Sequence, residues 1–427
     1  MTACITGWSH SKFGVNVEQT SENMIADVVE KAIEHAEISA KEIDAIFVGT
    51  FNNGFQKQDF HGAIPAVSQS DLRHVPAMRV ENACATGSAA IHTAMNAIEA
   101  KKAKTTLVVG VEKMTDVSSE KVGDILLGAS YRPEEGSTKG GFTGVFASIA
   151  KSYFQKYGDK SDILAKIAAK NHENGCSNPL AHMQKNLGFE FCNSISEKNP
   201  YVAAPLRRTD CSMVSDGAAA LIIQDFDLSL SAKRAIAFRA RRHVNDILPL
   251  SKREKTEFEG ARQAWHNALS AKRAIAFRSR RHVNDILPLS KREKTEFEGA
   301  RQAWQHALQD AKITLDDLSF VETHDCFTIA ELIEYEAMGL TKIGEGYKAI
   351  EEGWVHKNGK LPINPSGGLK SKGHPVGATG VSQHVMSAMQ LTGEAGDMQI
   401  NKANLAGIFN MGGASVANYV SILERLR

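Results

Sequence analysis

Two segments of the chain share one pattern, in which a short turn follows a helix and leads into an apolar strand. Residues 36–49 (AEISAKEIDAIFVG) and residues 311–324 (AKITLDDLSFVETH) align at an offset of 275, with small, aliphatic, hydroxyl and acidic positions in common. Apolar strands that alternate with helices are typical of sheets covered by helices on their faces. The sequence therefore predicts an α/β fold with two similar halves that pack about a pseudo-twofold axis.

The correspondence continues at two loops that precede helices rich in small residues. Cys84 stands before Ala85-Thr86-Gly87, and His374 stands before Ala378-Thr379-Gly380. Loops that follow the strands of both halves should meet at one centre. The predicted strands are residues 106–111 and 216–223 in the first half, and residues 405–409 and 412–423 in the second.

Composition excludes several classes of function. The chain has 427 residues and 42% hydrophobic content, which is enough for a large core, and its net charge of +1 gives no reason to expect nucleic acid. No apolar run is long enough to span a membrane, and the N-terminus reads as a first strand rather than a signal peptide. Six scattered cysteines without metal-ligand spacing predict no metal site and a reducing, cytoplasmic compartment.

A tandem duplication interrupts the chain between the two halves. Residues 230–268 recur as residues 269–307 with three differences, at 240/279, 266/305 and 267/306. Each copy reads as a strand followed by the start of a helix, and one sheet has room for one such strand. We expect the second copy to fill this position, because its helix continues into Gln309-Asp310-Ala311, and the first copy to form an insertion. An exchange of roles between the copies stays open.

These features divide the chain into three parts. Residues 1–229 form the first half, residues 230–268 are the extra copy, and residues 269–427 form the second half. Within the first half, residues 115–208 form an insertion rich in Gly, Ser, Lys and Asn, with a helical piece at 162–171. An insertion of this length is usually a lid or a binding subdomain, although a loop without function is the alternative.

Cys84 is the first candidate for chemistry. It precedes a helix, predicted over residues 86–102, whose first turns carry Ala, Gly and Ser on every side, as in a buried helix. The exposed N–H groups and the dipole at a helix N-terminus favour a thiolate. The alternative is an inert, packed cysteine, because free cysteines are often buried.

Three downstream segments carry the partners that such a cysteine needs. They are His324-Asp325-Cys326-Phe327, the loop Asn364–Gly377 with Ser366, Gly367 and His374, and Asn410-Met411-Gly412-Gly413. One thiolate can attack, a histidine can take its proton, and a second acid/base can move another proton. Glycine pairs expose N–H groups that can bind an oxyanion, although Gly412-Gly413 could also permit tight strand packing.

With these motifs the chain resembles the thiolase family over nearly its whole length. Asn-Pro-Ser-Gly-Gly together with Gly-His-Pro-Val-Gly-Ala-Thr-Gly is specific, and His-Asp-Cys-Phe resembles the sterol-carrier-protein-type branch. The resemblance implies two similar βαβαβαββ halves in a layered α/β sandwich with a loop domain. It also implies thiolysis of 3-oxoacyl-CoA, or its reverse, the Claisen condensation of two acyl-CoA molecules.

The resemblance also implies a role for each site residue. Cys84 would hold the acyl group, His374 would take the thiol proton, and Cys326 would exchange the α-proton of the second acyl-CoA or activate CoA. His324 and His374 would bind the enolate oxygen. Most thiolases have the second cysteine where this chain has Asn410. The N–H groups of Cys84 and Gly412 would bind the oxyanion, and His182, Ser366 and Gly367 would contact substrate.

The resemblance implies coenzyme A as a substrate rather than a bound cofactor, and a homodimer or homotetramer. Two alternatives remain open. One is retro-aldol cleavage of a steroid-like acyl-CoA, against which the presence of Cys84 argues, since that chemistry requires no acyl-cysteine. The other is a non-catalytic subunit that acts with a small CoA-binding partner protein.

Overall fold

The computed structural model describes residues 3–253, 255–269 and 313–426, without the side chains of 265–269. Strands and helices alternate along the chain, as the sequence pattern predicts. The strands are β1 (Ala3–His10), β2 (Ala45–Gly49), β3 (Ala77–Val80), β4 (Thr105–Glu112), β5 (Tyr201–Ala203), β6 (Leu206–Arg207), β7 (Gly217–Asp225), β8 (Ile236–Asn245), β9 (Phe320–Glu322), β10 (Leu405–Gly412) and β11 (Ala417–Arg425).

The helices lie between these strands and in the insertion. They are α1 (Ser21–Ala36), α2 (Pro65–Ser68), α3 (Thr86–Glu99), α4 (Ser119–Leu126), α5 (Arg132–Glu135), α6 (Gly141–Tyr157), α7 (Ser161–Cys176), α8 (Gly188–Asn193), α9 (Phe226–Ser229), α10 (Glu259–Leu269), α11 (Thr328–Ala337), α12 (Tyr347–Glu351), α13 (Gly368–Lys372) and α14 (Thr379–Thr392). None of the helices in the described residues has the length and apolarity that crossing a membrane requires.

Nine of the described strands form one sheet in the order β3-β2-β4-β7-β1-β8-β11-β10-β9. From the centre outward, β1-β7-β4 and β8-β11-β10 are antiparallel, whereas the outer pairs β4–β2 and β10–β9 are parallel. Four strands of each half therefore repeat one arrangement on either side of the β1–β8 contact, and β3, parallel to β2, has no counterpart among the described strands of the second half. The predicted α/β class with helix-covered sheets is confirmed.

Side chains alternate between the two faces of the strands, and each face buries a helix layer. In the first half, one face of β2, β4 and β7 packs against α1. The opposite face packs, together with strands of the second half, against α3 and α14. Most residues of α3 and α14 are buried, and the predicted active-site loops lead into the first turns of these two helices.

The aligned segments 36–49 and 311–324 have matching local structure where both are described. Ser39 and Glu42 form a capping box around a single turn of 3-10 helix. Thr314 and Asp317, at the offset of 275, form the same box around the turn Leu315–Asp317. Each turn satisfies its own N–H groups before the chain enters a buried strand, β2 or β9.

The insertion packs on the second half rather than extending away from the fold. Helices α6 and α7 share a hydrophobic cluster with α11. On α7, Lys170 Nζ lies 2.6 Å from a Glu331 carboxylate oxygen of α11, and both side chains are fully buried. A buried ion pair has a fixed geometry, so α7 has a defined position next to the loop that carries Cys326.

The first copy of the duplicated segment lies inside the sheet. Its strand β8 pairs with β1 and with β11, where we expected the strand of the second copy. The second copy lies outside the described residues, so the division at residues 229 and 269 stays a prediction. Along β8 the copies differ at one position, Ala240/Ser279, and Ala240 is buried. A serine there would bury a hydroxyl group, which favours the first copy in this position.

Candidate active site

Cys84 lies on a tight turn between β3 and α3. The amides of Ala85 and Thr86 donate to the carbonyl oxygens of Asn82 and Ala83, at 3.1 Å each, and Thr86 begins the helix. Ala83 has a φ of +50°, a left-handed conformation that is uncommon for a residue with a side chain. The turn fixes the backbone on both sides of Cys84 and buries its thiol at the start of α3.

The structure brings Cys84, His324 and His374 together from three separate loops. The Cys84 sulfur and one ring nitrogen of each histidine all lie within 4.8 Å of one another. The two imidazole rings are nearly perpendicular, with centroids 5.1 Å apart. A thiol and two ring nitrogens at this spacing are within reach of one reacting group.

Cys326 belongs to the same buried centre. The residue is 3% exposed, and burial raises the pKa of its thiol well above the ordinary value, with a smaller contribution from Cys84. Cys326 follows His324 by two residues in the same loop, so its buried thiol enters the region of the centre with that loop.

Burial keeps the centre uncharged at rest. It raises the pKa of Cys84 to about 12, although an N–H bond from Gly413 acts in the opposite direction. Burial and the charge of Lys372 lower the pKa of His374 to about 3. We expected the N-terminus of α3 to favour a thiolate, but the loss of hydration outweighs this effect. The resting pair is a thiol beside a neutral imidazole.

Each histidine is held through one ring nitrogen. His374 Nδ1 lies 2.6 Å from the Thr379 hydroxyl oxygen in the first turn of α14. His324 Nδ1 lies 2.9 Å from Asn410 Nδ2, and this nitrogen also lies 3.1 Å from the Cys84 carbonyl oxygen. The thiol and the two imidazoles are also donor types that zinc binds.

Gly413, which the sequence reasoning did not assign, donates its N–H to the Cys84 sulfur. Its φ of +62° lies in the left-handed region. Gly412 ends β10, and a Cβ built there would lie 2.5 Å from the Asn82 carbonyl oxygen. Gly412 thus permits the close approach of β10 to the Cys84 turn, and the oxyanion role of its N–H stays a prediction.

Asp325 is a second residue that the sequence reasoning missed. Its carboxylate accepts from the amides of Leu369 and Lys370, at 2.6 and 3.1 Å, and from Asn171 Nδ2 at 2.8 Å. A Cβ on Gly368 would lie 2.3 Å from this carboxylate. Asp325 therefore ties the loop of His324 and Cys326 to the segment that leads to His374. Its place inside His-Asp-Cys-Phe was the available signal.

Glu112, at the end of β4, has a similar role on the other side of the centre. Its carboxylate accepts from the amides of Phe51, Asn52 and Gly377, at 2.8–2.9 Å, and burial raises its pKa to about 7. These bonds join loops of the first half to the segment after His374. A lone glutamate at a strand end gave no signal in the sequence.

The three predicted substrate contacts lie in two places. His182 is half-buried, bonds Ser215 at 2.8 Å, and contacts the backbone of Lys372 close to His374. Ser366 donates its hydroxyl to Glu322 at 2.7 Å, and a Cβ on Gly367 would lie 2.6 Å from the Gly175 Cα. His182 thus flanks the centre, whereas the side chain of Ser366 supports the backbone of the motif.

The fold is an α/β sandwich, and its centre holds a buried thiol beside two imidazoles, a combination that enzymes with a thiol nucleophile also contain. Two family models match the chain, Thiolase, N-terminal domain, at residues 3–189 and Thiolase C-terminal domain-like at residues 283–425. The chain belongs to the thiolase family. The second match begins inside the second copy of the duplicated segment.

Individual relatives support the same assignment. The chain is 32% identical to an acetyl-CoA acetyltransferase of Methanothermobacter thermautotrophicus, over 99% of both chains. It is 28% identical to sterol carrier protein 2 of Homo sapiens, over 96% of this chain and 69% of that one. The relative from Methanothermobacter, matched over its full length, supports an acyltransferase as the class of enzyme.

A solved structure shows the fold alone. The Ltp2-ChsH2(DUF35) aldolase superposes on 100% of this chain and 98% of that chain, with a TM-score of 0.75 at 16% identity. At this level of identity the likeness does not establish which reaction this chain catalyses.

Proposed function

We propose that the protein catalyses the reversible thiolysis of 3-oxoacyl-CoA, or the reverse Claisen condensation, through an acyl-cysteine on Cys84. The products of thiolysis would be a shortened acyl-CoA and acetyl-CoA or propionyl-CoA. The observation that carries the proposal is the approach of Cys84, His324 and His374 within 4.8 Å at the start of α3. Thiol chemistry needs a base within this reach.

In the first step, the Cys84 sulfur attacks the thioester carbon while its proton passes to His374. The carbon–sulfur bond to CoA then breaks, and the CoA thiolate takes the proton back. Because the resting pair is neutral, proton transfer accompanies the attack and no stored thiolate is needed. The acyl group is left on Cys84 as a thioester.

In the second step, Cys326 gives its own proton to His374 and, as a thiolate, removes the α-proton of the second acyl-CoA, and the enolate carbon then attacks the Cys84 thioester. A carbon–carbon bond forms, the bond to the Cys84 sulfur breaks, and the Cys84 thiolate takes the proton from His374. His324, and His374 while it carries the proton from Cys326, would bind the enolate oxygen. The N–H groups of Cys84 and Gly412 would bind the other oxyanion, and the Gly413 N–H is directed at the Cys84 sulfur.

Several further assignments belong to the same proposal. Acyl-CoA and CoA are the substrates, no cofactor is permanently bound, and the insertion of residues 115–208 grips CoA. His182, Ser366 and Gly367 contact substrate, through the side chain of His182 and the backbone of the other two. The protein is a cytoplasmic homodimer or homotetramer.

Two further candidates keep the fold and change the reaction. The aldolase among the solved structures is an assembly of Ltp2 with ChsH2(DUF35), which gives the alternatives of retro-aldol cleavage and of action with a small partner protein a concrete precedent. Cys84 distinguishes them, because retro-aldol chemistry leaves no acyl group on a thiol.

The test is to incubate the protein with acetyl-CoA and to locate acetyl groups by peptide mass spectrometry. An acetyl adduct on Cys84 is the expected result. A folded protein without this adduct would reject the acyl-cysteine route and favour the alternatives.

A further inference from the structure

The two histidines of the centre have different neighbours at Nδ1. His324 faces the amide of Asn410, and His374 faces the hydroxyl of Thr379. A neutral imidazole carries its proton on one nitrogen only. What each neighbour can donate or accept at Nδ1 therefore determines whether the other nitrogen, Nε2, is a donor or an acceptor.

The contacts of Asn410 settle the orientation of its amide. The amide atom that lies 2.9 Å from His324 Nδ1 also lies 3.1 Å from the Cys84 carbonyl oxygen. A carbonyl oxygen only accepts, so this atom is the nitrogen and not the oxygen of the amide. Its two protons are donated to the Cys84 carbonyl oxygen and to His324 Nδ1. His324 therefore accepts at Nδ1 and carries its proton on Nε2, which is buried and has no partner among the described residues.

The contacts of Thr379 lead to the opposite result at His374. The Thr379 hydroxyl oxygen lies 2.9 Å from the Pro375 carbonyl oxygen and 2.6 Å from His374 Nδ1. The hydroxyl has one proton, and a carbonyl oxygen can only accept. The contact with Pro375 is therefore a hydrogen bond only if the Thr379 hydroxyl donates its proton to that carbonyl. His374 must then donate from Nδ1, which leaves a lone pair on Nε2.

Both rings are uncharged when the centre is empty. Burial lowers the pKa of His374 to about 3, and it lowers the pKa of His324 well below the ordinary value. At neutral pH neither ring carries a second proton. Each tautomer is then defined by its neighbour.

We propose that Asn410 and Thr379 are positioning residues that hold the two histidines in opposite tautomers, His324 as a donor and His374 as an acceptor at Nε2. This inference rests on the proposed function and deepens it. The lone pair of His374 suits removal of the Cys84 proton. The N–H of His324 suits the thioester oxygen on which charge develops in the enolate.

The two roles stay separate through both steps. The Cys84 proton passes to His374 Nε2 as sulfur attacks, and the departing CoA sulfur takes it back. His324 keeps its Nε2 proton throughout and only donates a hydrogen bond. The site thus has a base and a donor that need not exchange protons with each other.

The first test reads the tautomers of the wild-type protein directly. Nitrogen-15 NMR of histidine-labelled protein distinguishes the two tautomers by ring couplings, and His324→Gln and His374→Gln identify the two signals. The expected result at neutral pH is a proton on Nε2 of His324 and on Nδ1 of His374. The same tautomer at both, or the reverse pair, would overturn the inference. This measurement does not depend on whether an acyl adduct forms on Cys84. The tautomer assignment and the proposed function can therefore be refuted independently of each other.

The second test separates the two steps by substitution. Asn410→Ala should acylate Cys84 at nearly the wild-type rate, while kcat for condensation falls about 100- to 1000-fold with little change in KM, as for the loss of one oxyanion donor. Thr379→Val should slow acylation about 100-fold or more, as for the loss of an oriented base, and Thr379→Ser should restore it. Equal losses in both steps for both variants would contradict the proposal.

Asn418→Ala is the matched control. Asn418 is a buried amide in the same β10–β11 hairpin, and it donates to the carbonyl oxygens of Ser415 and Val244, at 3.0 and 3.2 Å. Its loss should reduce stability without changing the ratio of acylation to condensation. If Asn418→Ala changes that ratio as Asn410→Ala does, the effect of Asn410 is structural.

Discussion

Gly87 and Gly380 meet backbone to backbone where α3 and α14 begin. A Cβ on Gly380 would lie 2.3 Å from the amide nitrogen of Ser88, and one on Gly87 would lie 2.6 Å from that of Val381. The two glycines occupy corresponding positions of the Ala-Thr-Gly segments in the two halves. Their contact places the two helix N-termini side by side, and with them the loops of Cys84 and His374.

Gly380→Ala should therefore disturb both stability and the site. The added methyl group meets backbone at Ser88, which cannot rotate away, and overpacking of this kind costs about 1–3 kcal/mol. Denaturant unfolding should show this loss, and the acylation rate should fall with it. Gly123→Ala, in a helix where a Cβ meets nothing within 4 Å, is the control and should stabilise slightly. If Gly380→Ala has the same unfolding free energy as the wild-type protein, the predicted contact is contradicted.

Substitutions of the two cysteines should block different steps of the reaction. Cys84→Ala should abolish the acyl-enzyme, because the nucleophile is removed. Cys326→Ala should still form the acyl-enzyme but fail to condense, because no group removes the α-proton. Mass spectrometry of the acyl adduct and a separate condensation assay measure the two steps. Equal loss of acylation in both variants would show that the roles are not divided in this way.

The reactivity of Cys84 should rise steadily with pH. Burial raises its pKa to about 12, so the thiolate fraction grows with pH throughout the range in which the protein is handled. Peptide mass spectrometry of iodoacetamide-treated protein should show an alkylation rate at Cys84 that increases without a plateau between about pH 6 and pH 9. A plateau near neutral pH would indicate a resting thiolate–imidazolium pair instead.

Lys170 and Glu331 should couple the insertion to the second half. Lys170→Met leaves the buried Glu331 charge unpaired and should cost about 3–5 kcal/mol of unfolding free energy. The double variant with Glu331→Gln should recover part of this loss, as a double-mutant cycle would show. Lys166→Met is the control, because its ion pairs are partly exposed and should contribute less than about 1 kcal/mol. Equal effects at both lysines would contradict the buried pair.

The duplicated segment provides its own matched pair of variants. Ile236 is fully buried in β8, and Ile275 is the same residue of the second copy. Ile236→Asp should cost about 3 kcal/mol or more, because it buries a charge, whereas Ile275→Asp should cost much less. The reverse result would assign the sheet position to the second copy. If only the double variant is destabilised, the copies exchange.

The local patterns in the sequence were sufficient for much of the architecture. The buried stripe of α1 and the apolar strands β4 and β10 follow from periodicity alone. The helix that follows Cys84 was also predictable, although it ends at Glu99 and not at residue 102. The copy that forms β8 was not predictable, because the two copies have nearly identical sequence patterns.

The sequence by itself determined which residue types the site contains, since Cys84, His324, Cys326 and His374 stand in recognisable motifs. Only the tertiary structure decided their chemical state. Burial makes the thiol and the imidazoles neutral, and the partners that orient them come from distant segments, as Asn410 does for His324 and Glu112 does for the loop after His374. A pKa and a tautomer depend on neighbours in space, and the order of residues along the chain does not specify those neighbours.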